Sequence, residues 1–167
     1  LNAAWLWWGA GVLLAGGDKL HLWSFGELLP LQNVVEAIGV EQLTRLRGGF
    51  SAGPQKAVLA AARLPLMAPL ICDEAVFPHL AQHGDATRPA VFINLTNDGW
   101  FGKSFGPYQH LAQARLRAIE QGIPLLRAAN TGMSAAFDAR GRQLERLPLA
   151  EAGVFSLPLP PALAPTF

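Results

Sequence analysis

The side chains able to do chemistry fall beside apolar runs: Lys19, Glu27, Cys72 with Asp73 and Glu74, and Asn97 with Asp98. Cys72 is the single cysteine of the chain. The apolar run from Leu66 to Ile71 reads as a buried strand, and Glu74 to His83 as a short helix. A thiol at a strand-to-helix junction faces helix N-terminal amides, which favour the thiolate, and so is presented as a nucleophile. A lone buried cysteine is more often a small core hydrophobe, so a cationic neighbour has to distinguish the two. Lys19 is the candidate. With Leu20 and Leu22 beside it, its stem suits partial burial, and a buried ammonium calls for a carboxylate such as Glu27 or Glu74. Next to Cys72 it would stabilise the thiolate and later an oxyanion. Taken singly, Lys19 and Glu27 also read as an ordinary exposed ion pair.

Other chemistries find less support. His21, His79, His83 and His110 do not make a metal-ligand spacing with Cys72, so no metal is expected. A Cys–His pair remains open, with His110 as the candidate base. No glycine-rich phosphate loop follows a strand, and Gly9-Ala10-Gly11 sits between two apolar runs, so no nucleotide cofactor is expected. The net charge of +1 and the lack of a basic run argue against a nucleic-acid partner. One cysteine excludes an internal disulfide framework.

The positioning elements follow from the pattern. The 167 residues are 51% hydrophobic and 15% charged, enough for one domain with a large core. Asn2–Trp8 and Val12–Ala15 read as a hairpin about Gly9-Ala10-Gly11, with Trp5 and Trp7 packed against the protein. Residues 23–30 read as a loop, 31–43 as a short helix and 47–54 as a loop. Ala57–Ala62 and Leu66–Cys72 read as a second hairpin about Arg63-Leu64-Pro65. Ala90–Leu95 and Pro124–Ala128 are buried strands. Between them lies a helix from Pro107 to Gln121, capped by Gly122, with Leu111, Ala114, Ala118 and Ile119 as its stripe. Met133–Phe137 and Gln143–Leu147 form a hairpin, and Gly153–Leu157 adds a strand. The proline-rich residues 158–167 read as a tail or linker after a domain over 1–157. Strands that alternate with helices yet also form hairpins define an α/β layered domain with a mixed sheet. The uncharged stretch from Leu1 to Gly17 is too short and interrupted for a membrane span. The chain opens inside an apolar run without Met, as a piece of a longer protein would.

Several segments together resemble the nitrilase superfamily. Asp18-Lys19-Leu20-His21-Leu22 with Phe25-Gly26-Glu27 and Pro30 is similar to its lysine segment, and Ile71-Cys72-Asp73-Glu74 with Phe77-Pro78 to its nucleophile segment. Within it, three pieces resemble the apolipoprotein N-acyltransferase branch: Asn97-Asp98-Gly99-Trp100-Phe101-Gly102, Gly106-Pro107-Tyr108-Gln109-His110, and Ala114-Arg115 through Arg117-Ala118 to Pro124-Leu125-Leu126-Arg127. Asn130-Thr131-Gly132 continues the match, which runs in order over about residues 2–157.

The resemblance implies an α-β-β-α sandwich and a Glu-Lys-Cys triad, with Lys19 the lysine, Cys72 the nucleophile, and Glu27 and Glu74 as further catalytic residues. Trp23, Asp73, Asn97, Trp100 and Phe101 become the expected substrate contacts. In this branch the cysteine takes an acyl chain from a phospholipid as a thioester and passes it to the N-terminal cysteine amine of a lipoprotein, in two half-reactions. The implied setting is the periplasmic side of the bacterial inner membrane, reached through membrane helices outside this chain. The family's general-base glutamate precedes the lysine segment, and no acidic residue precedes Asp18 here. The isolated chain is therefore expected to be inactive. The family usually has an aromatic residue after the nucleophile, where this chain has Asp73, whose charge disfavours a thiolate beside it. The alternatives are a soluble nitrilase- or amidase-type hydrolase with water as acceptor, and a domain that only binds.

Overall fold

The computed structural model describes residues 2–23, 27 and 50–164. The expected helix over 31–43, and most of the loop over 23–30, lie outside the described residues.

The N-terminal hairpin is present. β1 (Ala3–Trp8) pairs antiparallel with β2 (Val12–Asp18), and Gly11 supplies the positive φ of 78° in the turn. The hairpin is a two-stranded sheet of its own. It meets the rest of the domain through Gly17, where an added Cβ would lie 2.0 Å from Ala57 and 3.6 Å from Pro69. Trp5 and Trp7 are not packed as expected: they are 55% and 59% exposed, and Trp8 is 62% exposed. A two-stranded ribbon has one supporting side, and here Ala4 takes the fully buried position. Trp5 instead lies across its cross-strand partner Gly16.

The second sheet has the order β3 (Met67–Ile71), β4 (Val91–Asn97), β5 (Leu125–Asn130), β6 (Ser134–Phe137), β7 (Gln143–Leu147). β3, β4 and β5 run parallel, while β6 and β7 are antiparallel additions, so the sheet is mixed. The second hairpin expected over residues 57–72 reduces to one antiparallel bridge, Leu59–Met67. Arg63 in the left-handed region (φ 68°) and Pro65, with no N–H to give, stop the pairing there. β3 is instead committed to β4.

After β3 comes a 3-10 turn, Cys72–Val76, and then α1 (Pro78–Ala81), where one continuous helix was expected. Phe77 is extended (φ −96°, ψ 112°) before Pro78, as a residue preceding proline prefers, and this splits the segment. α2 (Gly106–Gln121) crosses from β4 to β5, starts with Pro107 in its first turn, and ends on Gly122 at φ 60°. Leu111, Ala114 and Ala118 of α2 pack with Ala68, Leu70, Phe92, Leu125 and Phe137 in the core. The alanines let the helix approach the sheet closely. Ile119 leaves this stripe and is 42% exposed, while His110 and Arg117 take buried places on the inward face. Residues 148–164 form no regular element beyond a turn, so the strand expected over Gly153–Leu157 is not formed. Leu163 nevertheless donates its N–H to the Gly122 carbonyl at 2.8 Å, and Ala162 packs on the core.

No helix among the described residues is long and apolar enough to cross a membrane.

Candidate active site

Parallel strands present their carboxyl ends together, and that edge collects the polar residues. Cys72 directly follows β3, Asn97 ends β4 with Asp98 next, and Lys19 follows β2 of the other sheet. A cavity of about 620 Å³ opens there. Lys19, Trp23, Glu27, Cys72, Asp73, Asn97, Trp100 and Phe101 all line it, so most of the expected site residues share one space.

Lys19 is its charged centre. The side chain is 1% exposed, and its Nζ lies 2.6 Å from Glu27 Oε2 and 2.6 Å from Asp73 Oδ1. Burial alone would push the Lys19 ammonium down, but Asp73 and Glu27 outweigh it and hold the group above its ordinary value. Glu27 is fixed by more than this pair: Asn2 Nδ2 donates to its Oε1 at 2.8 Å and the Trp23 N–H to its Oε2 at 2.9 Å. Burial would raise the Glu27 carboxyl, yet Lys19 and these donors bring it below the usual value. Asp73 is held less completely. Among the described residues its Oδ1 is held only by the ionic contact with Lys19. Its Oδ2 faces His21 Nε2 at 3.9 Å, and the His21 ring packs on Phe77 with centroids 4.1 Å apart.

The signs of these shifts set a pH dependence. Glu27, with a depressed folded value, adds stability that is present above its unfolded value near 4.5 and is lost as pH falls through the folded value. Lys19, raised, adds stability that is present below 10.5 and is lost as pH climbs through its folded value. Glu27→Gln should therefore cost about 1.5–3 kcal/mol at neutral pH, the scale of hydrogen bonds to charged groups. That cost should shrink once the pH drops below 4.5. Chemical denaturation at a series of pH values checks this, and a cost that stayed constant into acid would contradict it.

Glu74 is placed differently from the other expected residues. It does not line the cavity. Its Oε1 accepts the N–H groups of Leu20 (2.6 Å) and His21 (3.2 Å), and its Oε2 that of Ile71 (2.7 Å). It ties the lysine segment to the turn that carries Cys72. Burial pushes its carboxyl up despite these donors.

Cys72 has a φ of 56°, in the left-handed region. For a residue with a Cβ this costs about 1–2 kcal/mol, and such a conformation persists only where the surroundings over-determine it. They do so here through Asn94 and Arg127, which the sequence did not offer as site residues, together with Asp98 and His110. Asn94 Nδ2 donates to the Leu70 carbonyl at 2.6 Å and reaches that of Cys72 at 3.4 Å. His110 Nε2 lies 3.1 Å from the Cys72 carbonyl, and its Nδ1 2.8 Å from Asp98 Oδ1. Arg127 Nη2 donates to Asp98 Oδ2 at 2.6 Å, and Nη1 donates to Asn94 Oδ1. Leu70, Asn94 and Arg127 are register partners across β3, β4 and β5, so the pleat sets the last two side by side. Asp98 is walled in by Gly132, where a Cβ would lie 2.3 Å from its Oδ2. Burial would raise the Asp98 carboxyl, but His110 and Arg127 bring it below the ordinary value.

With both ring nitrogens of His110 turned to oxygens, one of them the Cys72 carbonyl, it is not disposed as a base on the thiol. The signal for it was legible: Pro107, His110, Leu111, Ala114, Arg117 and Ala118 share one helical face, which includes two charged or polar members. Asn94 and Arg127 stand inside apolar runs, and only the register reveals them. Among the described residues, no group of three or more His, Cys, Asp or Glu could hold a metal ion.

Aromatic side chains border the cavity. Trp23 and Trp100 meet edge-to-face with centroids 6.2 Å apart, and both are substantially exposed, as is Phe101. Ile71, Val76, Phe77 and Leu95 complete its apolar lining. Asn97 Oδ1 caps the following 3-10 turn by accepting the Gly99 N–H and also accepts from Asn130 Nδ2.

An α/β domain with a mixed sheet, and a cysteine and a buried lysine at the sheet's carboxyl edge, belong to one class. The carbon-nitrogen hydrolase family model matches residues 7–164, and the chain belongs to that family. Its fold is that of the nitrilase superfamily: a superfamily member from Saccharomyces cerevisiae superposes with a TM-score of 0.63 at 17% identity, over 90% of this chain and 50% of that one. A mutant of the amidase from Nesterenkonia, with acrylamide added to its active-site cysteine, superposes with a TM-score of 0.64 at 23% identity, over 93% of this chain and 56% of that one. By sequence the chain is similar to the apolipoprotein N-acyltransferase of Bradyrhizobium diazoefficiens, 54% identical over 93% of the chain, and to that of Rhizobium rhizogenes, 43% identical over 87%. The chain spans about 29% and 27% of the length of these two relatives.

Proposed function

We propose that the chain is part of the catalytic domain of a membrane N-acyltransferase that completes lipoprotein maturation. The observation that carries this reading is the cavity: apolar walls and exposed aromatics enclose a space lined by both Cys72 and the buried Lys19. Its volume falls within the roughly 300–1,000 Å³ of small-molecule sites, and its lining suits an acyl chain better than a small polar amide. The likeness to apolipoprotein N-acyltransferases supports the same substrate class.

In this reading Cys72 is the nucleophile, as the adduct on the cysteine of the Nesterenkonia amidase also suggests for the fold. The thiolate attacks the ester carbonyl of a phospholipid. A C–S bond forms, the ester C–O bond breaks, and the lysophospholipid leaves with the proton taken from the thiol. The N-terminal cysteine amine of a lipoprotein then attacks the thioester. A C–N bond forms, the C–S bond breaks, the amine gives up a proton to a general base, and the thiolate is restored. Lys19 stabilises the thiolate and both tetrahedral oxyanions. Glu27 holds Lys19, Glu74 holds the nucleophile turn, and Trp23, Asp73, Asn97, Trp100 and Phe101 border the acyl path. In this reading the general base is a carboxylate upstream of Lys19, and the domain works on the periplasmic face of the bacterial inner membrane, as the resemblance implies.

The test supplies the full-length protein with phosphatidylethanolamine and a diacylglyceryl peptide bearing a free N-terminal cysteine. Formation of the N-acylated peptide with release of lysophospholipid is expected. Release of ammonia from simple amides with no peptide acylation would favour the hydrolase reading instead.

A further inference from the structure

We infer that His110, held by Asp98, is a positioning residue for Cys72: it fixes the peptide that links Cys72 to Asp73. The inference rests on the reading of Cys72 as the nucleophile.

The carbonyl oxygen of Cys72 is the point at which the buried network touches the nucleophile. His110 Nε2 donates to it at 3.1 Å and Asn94 Nδ2 at 3.4 Å. Two side-chain donors on one carbonyl fix the plane of its peptide, and so the direction of the Asp73 N–H on the opposite edge. They also determine ψ of Cys72 once φ is at 56°. The thiol is carried by that Cα, so a rotation of this peptide moves the sulfur relative to Lys19 and the cavity. His110 is itself fixed. Its ring is 5% exposed, its Nδ1 faces Asp98 Oδ1 at 2.8 Å, and Asp98 is held by Arg127 Nη2 at 2.6 Å and by Thr96 Oγ1 at 3.2 Å. Phe101 covers the ring edge-on, with centroids 5.7 Å apart. The chain Arg127–Asp98–His110–Cys72 thus links β5, the end of β4 and α2 to one carbonyl oxygen. A network built only to fill the core would not need to end on the strained residue that bears the chain's one thiol.

The two ring nitrogens can be tested separately. Glutamine places an amide donor close to where histidine has Nε2, and asparagine close to Nδ1. In full-length protein, His110→Ala should slow thioester formation from phosphatidylethanolamine by about 10²-fold, the effect of an ångström-scale misplacement, with KM for the lipid little changed. His110→Gln should recover most of the lost rate, and His110→Asn should not. If His110 served only to hold Asp98 and the fold, asparagine would rescue and glutamine would fail. Should His110→Ala not fold, the Gln and Asn variants decide by themselves. Equal rates for these two, at equal unfolding temperatures, would overturn the inference, as would a wild-type rate in His110→Ala. Cys72→Ala, run alongside, separates the two layers: an adduct that survives it defeats the nucleophile reading, whereas its loss with His110 variants at full rate defeats the positioning role alone.

Discussion

Cys72→Ala in the full-length protein should abolish both half-reactions while leaving the domain folded. Alanine carries the same Cβ, so the left-handed backbone at φ 56° is no more strained than before, and the Asn94 and His110 donors act on the carbonyl rather than the side chain. Only the sulfur is lost. Removing a covalent nucleophile costs on the order of 10⁶-fold in turnover where it has been measured. Cys72→Ser should fail nearly as completely, because an unactivated hydroxyl is a far weaker nucleophile than a thiolate. Intact-protein mass spectrometry after incubation with phospholipid should find an acyl adduct on the wild-type protein and none on Cys72→Ala. An adduct at wild-type level in the variant would place the nucleophile elsewhere.

The parts of this site that the sequence made legible are those on element ends. Cys72 follows an apolar run, Lys19 follows the N-terminal hairpin, and Asn97 and Asp98 stand at the end of β4; polar residues at strand ends stand out against their neighbours. α2 was legible for a similar reason, since Pro107 and Gly122 punctuate it. What stayed hidden depends on long-range partners. The bridge at Leu59–Met67 stops short because β3 pairs with β4, a choice that no local pattern states. Asn94 and Arg127 stand inside apolar runs, and their contact exists only because the parallel register aligns them. Glu74 shows the limit from the other side: its sequence neighbourhood fits a cavity residue, yet three backbone N–H groups claim its carboxylate.

Asp73 is where sequence and geometry combine to sharpen an expectation. Beside Cys72 it reads as an unfavourable charge, and the structure places that charge on Lys19, opposite Glu27. The ammonium is thus shared between two carboxylates. Lys19→Met would leave both carboxylates, each 2.6 Å from the missing nitrogen, facing one another without a counter-charge. Breaking a buried pair by removing one partner costs about 3–5 kcal/mol, so a large fall in unfolding temperature is expected. Turnover should fall as well, by about 10²–10³-fold if Lys19 supplies one donor to the oxyanion. Loss of folded protein could mimic the second effect, so the two have to be separated. The triple variant Lys19→Met, Glu27→Gln, Asp73→Asn removes the stranded charges together with the ammonium and should regain most of the lost stability. It should not regain thioester formation, because neither amide can replace a cation at the developing oxyanion. Lys19→Arg should fail too, since a planar fork does not fit the place of a compact ammonium buried between two carboxylates. Near wild-type turnover in the stable triple variant would reduce Lys19 to a structural cation and leave the oxyanion to the backbone donors of the nucleophile turn.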